Sequence, residues 1–285
     1  MELDHVRITV LVDDCVGYDV KGLLGEHGLS ILIEGWKSNK YYKVLFDTGQ
    51  TGHVLLHNVK RLGLNIKDLN AIVLSHRHYD HTGGLLKVLE EVQTYIIAHP
   101  EIFKPQIYIG EDNVRLDLGI PHSKSSIEGK GGKLILAKTP LELAPGIYFL
   151  GEIPRTTEYE EPWGNVYTLT DDGVLVKDKM LDDTGLAVKV NGKTLVIGGC
   201  SHSGIVNISR YALNVVGGEP EVVMGGFHLV NADMERIRKT VKGLKDIGFK
   251  KVYAGHCTGF LAERTFSLEY GGDFKRIHTG FNISI

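Results

Sequence analysis

The spacing of apolar residues predicts alternating strands and helices in the first hundred positions. Three short apolar runs, each closed by Gly or Asp, are typical of β-strands: "RITVLV", "GLSILIEG" and "YYKVLFDTG". Apolar residues then recur at helical spacing over 54–62 and again over 82–92, on either side of the buried strand "AIVLS". "TYIIAH" is the next predicted strand. This alternation predicts an α/β protein with a βαβ layout, in which helices cover a sheet.

The same pattern returns in the last hundred residues. "GLAVKVNGKTLVIGG" predicts two strands joined by an Asn-Gly turn, and "EVVMGG" and "KKVYAG" are further buried strands. "ADMERIRKTVKGLKDIG" is amphipathic, with Asn231 available as its N-cap and Gly248 as its stop. The stretch between the two halves is rich in Gly, Pro and charge. We therefore predict one domain over 1–285 with an elaborated loop region at about 101–185.

Four histidines follow apolar strands and small residues in the same way. They stand in "AIVLSH" (His76), "TLVIGGCSH" (His202), "EVVMGGFH" (His228) and "KKVYAGH" (His256). In sheets built from βαβ units, the loops at the carboxyl ends of the strands converge on the ligand crevice. We therefore expect these four histidines, distant in sequence, to meet in space.

The stretch "SHRHYDHTGG" at 75–84 places four metal-ligand side chains, His76, His78, Asp80 and His81, within six positions. His76 and His78 are two apart, so in an extended loop they point to the same side and can bind one ion through neutral imidazole nitrogens. Asp80 and His81 lie where the next helix starts and turn toward a second position. Two ions roughly 3.5–4 Å apart suit this compact double pair. The motif therefore predicts a dinuclear metal site.

Composition narrows the class of protein. The 285 residues are 42% hydrophobic and 24% charged, with a formal net charge of -3, which is typical of a soluble protein and argues against a nucleic-acid partner. No apolar run reaches the roughly 18 residues that a membrane span requires, so we expect no membrane association. The three cysteines are few and odd in number, which argues against a disulfide framework and favours a reducing cytoplasm.

"SHRHYDHTGG" resembles the signature of the metallo-β-lactamase superfamily, and "LFDTG" at 45–49 is similar to that family's earlier aspartate motif. The resemblance covers essentially the whole chain, with His256 in "AGHCTG" at the position of the family's last histidine. It implies an αββα sandwich with one or two metal ions at the sheet edge, and it implies that Asp47 orients the cluster without ligating. "EHGLSILIEG", "GCSHSGIVN", "GGFHL" and "GHCTG" resemble the branch of dihydropterin-ribofuranosylaminobenzene-phosphate synthase-like proteins.

The sequence departs from the family pattern at two places. Where most hydrolases of this fold carry a Gly-His-Thr-Pro-Gly motif, this chain has "FLGEIPRTTEYE", with Glu152 at the expected histidine. Where related enzymes carry a bridging Asp, "LVIGGCSHSG" has Cys200, and His202 follows two residues later. We infer that His202 replaces the missing histidine as a ligand. Cys200 is either a thiolate ligand or a buried packing residue. Glu152 is a ligand, an acceptor behind the ligands or a loop charge, and we favour the last two roles.

The remaining histidines carry weaker signals. His228 is either a strand-end histidine satisfied by backbone groups or a general acid or hydrogen-bond donor beside the metals, and we favour the second role. The resemblance also places His27 at the mouth of the site, with a capping or surface role as the alternative. Cys257 is expected to pack on the side opposite to His256. Six more histidines form no constellation and are expected at the surface or in packing: His5, His53, His57, His99, His122 and His278.

The leading functional hypothesis is a cytoplasmic metallo-hydrolase, or a related lyase or synthase, that acts on a small anionic metabolite containing phosphate and related to a pterin. Its nucleophile would be a hydroxide held by two metal ions. Asp80 would orient this hydroxide, and His228 would stabilise developing charge or protonate the leaving group. The ions would be zinc, with iron or manganese as alternatives, and the expected ligands are His76, His78, Asp80, His81, His202 and His256.

The sequence is compatible with two other functions of the same fold. A di-iron redox enzyme of the same fold is disfavoured because His78 stands where the di-iron flavoproteins usually carry a glutamate. A non-catalytic binding module would be expected to lack ligands, whereas the first cluster is complete. Lys124 and Arg155 are candidates to contact an anionic substrate. The oligomeric state is open, with a homodimer as one option.

Overall fold

Two seven-stranded β-sheets face one another in the computed structural model, which describes residues 1–110, 115–162 and 164–285. In chain order the strands are β1 (His5–Val12), β2 (Ser30–Lys37), β3 (Lys40–Phe46), β4 (Ala71–Val73), β5 (Tyr95–Ala98), β6 (Ile107–Ile109), β7 (Arg115–Asp117), β8 (Lys133–Leu136), β9 (Leu141–Ala144), β10 (Ile147–Phe149), β11 (Val166–Leu169), β12 (Leu175–Lys177), β13 (Gly185–Val190), β14 (Lys193–Gly198), β15 (Glu219–Gly226), β16 (Lys251–Gly255), β17 (Phe274–Arg276) and β18 (Asn282–Ser284).

The helices lie on the outer faces of the two sheets. In chain order they are α1 (His53–Arg61), α2 (Tyr79–Thr82), α3 (Leu85–Leu89), α4 (Lys124–Gly129), α5 (Ile205–Val216), α6 (Met234–Ile247) and α7 (Phe260–Tyr270), with 3₁₀ turns at Pro100–Phe103, His256–Thr258 and Gly271–Asp273. No helix in the described ranges is both long enough and apolar enough to cross a membrane.

Three apolar clusters hold these layers together. The central cluster lies between the sheets and includes Phe46 from one sheet and Phe149 from the other, both fully buried. A second cluster packs α1 and α3 against the outer face of the first sheet, and a third packs α5, α6 and α7 against the second sheet. Helix, sheet, sheet and helix therefore follow in order. The predicted α/β class and αββα sandwich are confirmed.

The order of strands explains where a site can form. The first sheet runs β18-β1-β2-β3-β4-β5-β8, and the second runs β17-β16-β15-β14-β13-β10-β9. Strands β3, β4 and β5 are parallel in the first sheet, as are β14, β15 and β16 in the second. Strand β4 and the second half of β15 are buried throughout, which accounts for their uninterrupted apolar runs. The carboxyl ends of these parallel strands share one edge of the sandwich, where a ligand crevice is expected.

Two local predictions for the helices differ from the structure. Asp233, and not Asn231, caps α6, because its side chain accepts a hydrogen bond from the Arg236 backbone N–H at 2.8 Å. The helix predicted to begin near Thr82 instead begins at Tyr79 and is divided into α2 and α3. The predicted stop of α6 at Gly248 is confirmed, with this glycine in the left-handed conformation at φ 99°.

The stretch predicted as loops contains short strands. β6, β7, β11 and β12 form a separate four-stranded sheet, and β8, β9 and β10 extend the two main sheets at their edges. This segment also supplies buried side chains beside the strand ends, among them Gln106 and Met180. The middle of the chain therefore covers the edge of the sandwich at which the parallel strands end.

Candidate metal centre

The candidate metal donors come from both sheets and lie at one edge of the sandwich. The segment that follows β4 carries His76, His78, Asp80 and His81, which we call the first cluster. The segments that follow β14, β15 and β16 carry Cys200, His202, His228 and His256. The imidazole centroid of His76 lies 4.8 Å from that of His202, and His202 lies 4.1 Å from His228. The structure thus brings the distant strand-end histidines together, as the sequence pattern predicts.

A first group of donors surrounds one position on this edge. The donor atoms of His76, Cys200 and His202 all lie within 4.8 Å of one another, and all three residues are buried. His78 joins them, because its ring centroid lies 4.5 Å from that of His76 and 4.8 Å from that of His202. Three imidazoles and one thiol are therefore available to a single cation.

A second group shares the same thiol. Cys200 Sγ lies 3.1 Å from His81 Nε2 and 3.3 Å from His256 Nε2, and the two nitrogens are 3.2 Å apart. Asp80 Oδ2 lies 3.5 Å from His81 Nε2 and 3.6 Å from His256 Nε2. Burial alone would raise the pKa of Asp80, but these two imidazoles bring it below the ordinary value. Cys200 therefore belongs to both donor groups. This position favours the ligand role over the packing role that the sequence also allowed.

Hydrogen bonds on the outer side of the first cluster fix two imidazoles. His81 Nδ1 donates to Asp47 Oδ2 at 2.7 Å. The Ser75 hydroxyl donates to the same oxygen at 2.6 Å, so its own oxygen accepts from His76 Nδ1 at 2.8 Å. Both imidazoles then turn Nε2 toward the cluster. Asp47 orients the cluster without ligating, as the resemblance implies, and this is the arrangement by which metal-binding histidines are commonly held.

A carboxylate holds His256, and a side-chain amide holds His78. Asp14 Oδ2 accepts from His256 Nδ1 at 3.0 Å. His78 Nε2 contacts Gln106 Oε1, and Gln106 Nε2 donates to Asp178 Oδ2 at 2.9 Å. The nitrogen that His78 turns toward the cluster is therefore Nδ1. Sequence reasoning missed both Asp14 and Gln106; the strand-end "LVDD" that carries Asp14 was a signal of the same kind as "LFDTG".

The buried nitrogens of this site fit a metal ion. Among the described residues, His76 Nε2 and both ring nitrogens of His202 are buried without a hydrogen-bond partner. Such atoms cost free energy unless something binds them. Burial lowers the pKa of both imidazoles well below the ordinary value, and the neighbouring histidines lower it further. The two rings are therefore neutral at physiological pH, the form in which histidine ligates metals.

Burial also affects the pKa of the Cys200 thiol. Its side chain is buried, and burial raises its pKa well above the usual value. A cation bound beside a cysteine deprotonates it, so the thiolate of Cys200 belongs to the metal-bound state. Thiolates and imidazoles together are donors that zinc prefers, whereas magnesium and calcium prefer oxygen.

His228 lies beside the first donor group in a constrained conformation. Its φ is 45°, and φ is also positive at Asp47, Ser201 and His256. Non-glycine residues adopt this region at a cost, and such residues concentrate at functional sites. Burial, followed by the charge of His78, lowers the pKa of His228 to about 3. Its imidazole is therefore neutral at physiological pH.

A cavity of about 350 Å³ opens onto both donor groups. Its volume lies within the range of small-molecule sites. Among the described residues, those lining it include no Lys or Arg. The other lining residues include four polar or ionisable ones, Asp14, His27, His228 and Cys257, and a largely apolar set made of Tyr79, Leu118, Val166, Met180, Val230 and Asn231. An anionic group in this cavity would therefore be held by the metal centre, and the rest of the ligand by apolar walls.

The cations that the sequence suggested for the substrate lie elsewhere. Arg155 donates hydrogen bonds to the carbonyl oxygens of His202, Lys179 and Met180, so it holds backbone behind the cavity. Lys124 lies over the ring of Phe103, 5.2 Å from its centroid. Neither residue lines the cavity. The expectation that one of them contacts an anion there receives no support from the geometry.

Glu152 lies apart from the candidate metal centre, whereas Cys257 and His27 line its cavity. Glu152 pairs with His99 at 3.2 Å and Lys138 at 3.6 Å and is separate from both donor groups. Cys257, expected to pack away from the site, lines the cavity, and its Sγ accepts from the His228 N–H at 3.3 Å. His27 also lines the cavity.

The six histidines with no predicted metal role lie away from the candidate metal centre. His5, His53 and His57 are exposed, whereas His99 is buried at a turn and accepts from the Glu101 N–H. His122 and His278 contact backbone carbonyl oxygens. None of the six lines the cavity or belongs to a donor group in the described residues.

Comparison with known proteins agrees with this geometry. The sequence model of the metallo-β-lactamase superfamily matches residues 24–206. The chain belongs to the metallo-β-lactamase superfamily. Within it, the 7,8-dihydropterin-6-methyl-4-(β-D-ribofuranosyl)-aminobenzene-5'-phosphate synthase of Methanocaldococcus jannaschii is 38% identical, over 98% of this chain and 96% of that protein. An uncharacterized protein of the same organism is 35% identical, over 90% of this chain and 91% of its own length.

Solved structures of the superfamily share the fold. A crystal structure described as a metal-dependent hydrolase of the β-lactamase superfamily aligns with a TM-score of 0.82 and 30% identity, covering 98% of this chain and 99% of that one. Zinc-bound PqqB from Methylobacterium extorquens aligns with a TM-score of 0.55 and 11% identity, covering 97% and 99%, which shows the fold alone. The sequence resemblance to the superfamily and to its dihydropterin synthase-like branch is therefore confirmed.

Proposed function

We propose that this superfamily member is a dinuclear metal-dependent hydrolase that cleaves a phosphate ester or phosphoanhydride bond in a small metabolite. The observation that carries the proposal is the position of Cys200, whose sulfur belongs to two donor groups at the floor of one cavity. We assign His76, His78 and His202 to one ion, and Asp80, His81 and His256 to the other, with Cys200 between them.

The metal centre has a defined chemical contribution. When bound, two divalent ions would lower the pKa of a water molecule toward neutrality, polarise a phosphoryl oxygen and balance the charge of the phosphate. The donor set of imidazole, thiolate and one carboxylate favours zinc over magnesium.

The protein's own residues supply orientation around the reacting group. Asp80 is buried and lines the cavity, with its Oδ2 3.5 Å from His81 Nε2 and 3.6 Å from His256 Nε2, so its carboxylate would accept a hydrogen bond from the attacking water and align it. His228 lines the same cavity next to His202 and donates a hydrogen bond to an oxygen of the substrate. The backbone that carries His202 is fixed by Arg155, which reduces the reorganisation needed during the reaction.

The walls of the cavity favour an aromatic metabolite. Tyr79, Leu118, Met180 and Val230 offer apolar surface above the donors, and Asn231 offers one polar side chain. A flat ring with a polar edge suits this lining, with its phosphate directed to the floor. The name of the M. jannaschii relative, 38% identical, refers to a dihydropterin and to a phosphate. We therefore propose a phosphorylated, pterin-related substrate.

A second candidate is synthase chemistry at the same centre. The relative's name describes a synthase whose product joins a dihydropterin to a ribofuranosylaminobenzene phosphate. In that reaction the aromatic amine would attack the methyl carbon carried by the pterin, so that an N–C bond forms as the C–O bond to a phosphate group breaks. The phosphate would leave toward the donor groups, the amine would lose its proton to solvent, and the same side chains would orient both reactants. The di-iron redox alternative is disfavoured by His78 and by the thiol at the centre of the site.

A metal and substrate survey tests the proposal. The full chain is purified, its metals are quantified and its absorption spectrum is recorded, since zinc is silent in the visible range and a di-iron centre is not. Phosphomonoester, phosphodiester, phosphoanhydride and thioester substrates are then assayed, each with and without an aromatic amine. We expect two zinc ions and phosphate release that depends on His76 but not on the exposed His53. Amine-dependent coupling would favour the synthase, and turnover of the thioester alone would overturn the phosphate assignment.

A further inference from the structure

His27 takes the same place around Asp80 as two of the assigned ligands. Asp80 Oδ2 lies 3.6 Å from His27 Nε2, 3.5 Å from His81 Nε2 and 3.6 Å from His256 Nε2. Two nitrogen or oxygen atoms bound at about 2.1 Å to one four- or five-coordinate ion lie roughly 3.0–3.6 Å apart. Three imidazole nitrogens therefore surround this carboxylate oxygen at the separation expected of ligands that share a cation.

A single carboxylate orients His27 and His256 together. Asp14 Oδ1 accepts from His27 Nδ1 at 2.9 Å and from the Gly28 N–H at 3.2 Å, while its Oδ2 accepts from His256 Nδ1. Both imidazoles thus give their Nδ1 proton to the same residue and keep Nε2 free to ligate. This carboxylate–histidine pairing is the one that supports metal-binding histidines. A capping or surface role, the alternative for His27, would not require it.

The backbone beside His27 is built to approach the first cluster. Gly28 has φ 124°, and a Cβ at this position would overlap the backbone carbonyl oxygen of Asp80. Glycine is required here both for the conformation and for the close approach. The result is that the ring of His27 lies 5.7 Å from that of His256 and 6.4 Å from that of Tyr79, at the mouth of the cavity.

We infer that His27 is an additional ligand of the ion held by Asp80, His81, Cys200 and His256. This inference rests on the dinuclear centre of the proposed function. It would give that ion five donor side chains from the protein, with His27 added to the four assigned above.

Two substitutions separate ligation from orientation. His27→Asn keeps an amide N–H close to the place of Nδ1, so it still donates to Asp14, but it removes Nε2. His27→Ala removes both. If His27 acted by holding Asp14 alone, the asparagine variant would behave as the wild type. His53→Ala is the matched control, because His53 is exposed and lies outside the cavity.

Cobalt titration of the metal-free full chain provides the readout. We expect the wild type and His53→Ala to bind two Co²⁺ ions per chain. In His27→Asn and His27→Ala the ion assigned to Asp80, His81 and His256 should dissociate at least about tenfold more readily, with altered visible bands that added imidazole restores in His27→Ala. Two ions with unchanged affinities and bands in both variants would overturn the inference alone. Fewer than two ions in the wild type would contradict the dinuclear centre itself.

Discussion

The carboxylate of Asp47 lies 2.7 Å from Nδ1 of His81, on the side of the imidazole that faces away from the cavity. Both side chains are fully buried, and Asp47 adopts a positive φ of 60°. The same carboxylate receives the hydroxyl of Ser75, which in turn supports His76. Asp47 thus fixes one imidazole in each of the two donor groups, His81 directly and His76 through Ser75.

Replacing Asp47 with asparagine should weaken the binding of both metal ions. The amide keeps the size of the side chain but loses the charge that favours the Nδ1–H form of His81. We expect metal affinity to fall by about 10- to 100-fold, as for other residues that support metal-binding histidines. Stepwise zinc titration of the metal-free protein measures this. Asp19→Asn, at an exposed position, is the control, and equal affinities in the two variants would refute the role of Asp47.

Gln106 should affect one ion selectively. Its side chain joins His78 to Asp178, so Gln106→Met removes the acceptor that turns His78 Nδ1 toward the cluster. We expect the affinity for the ion at His76, His78 and His202 to fall by about tenfold or more, and the affinity for the other ion to stay unchanged. Site-resolved cobalt spectra would show the difference. A uniform loss at both sites would instead indicate general damage to the fold.

The buried pair of Arg77 and Asp182 should be important for stability. Both side chains are fully buried, Asp182 accepts from the Arg77 guanidinium and backbone N–H, and Asp178 lies 3.4 Å from the same guanidinium. Arg77→Met leaves buried carboxylates without their partner, so we expect the free energy of unfolding to fall by about 3–5 kcal/mol. Denaturant unfolding checks this. Adding Asp182→Asn should recover part of the loss, and an equal or larger loss would contradict the pairing.

Much of the fold and part of the site could be predicted from local patterns. The cluster from His76 to His81 is contiguous, and the strand-end histidines follow buried strands whose carboxyl ends share an edge. The structure adds residues that reach the site through tertiary packing. Gln106 lies in a segment predicted as loop, and no periodicity indicates that it contacts His78. The cap of α6 was misplaced because Asn231 and Asp233 are both good caps, and the choice between them depends on where the chain enters the helix.

Removing the metal should destabilise the protein. His76 and His202 bury ring nitrogens that have no partner in the described part of the chain, so the metal-free state leaves their hydrogen-bonding capacity unused. An ion present at about 100 times its dissociation constant stabilises the folded state by roughly 2.7 kcal/mol. We expect chelation to lower the melting temperature and zinc, but not magnesium, to restore it. An unchanged melting temperature after verified removal of metal would contradict a site built around these nitrogens.

The central claim is that two donor groups hold two metal ions, with His202 in place of the family's missing histidine. The most direct measurement is the metal content per folded chain of the wild type, His202→Ala and the control His53→Ala, by elemental analysis after dialysis against metal-free buffer. We expect two ions in the wild type and the control, and one in His202→Ala. Two fully occupied ions in His202→Ala would contradict it.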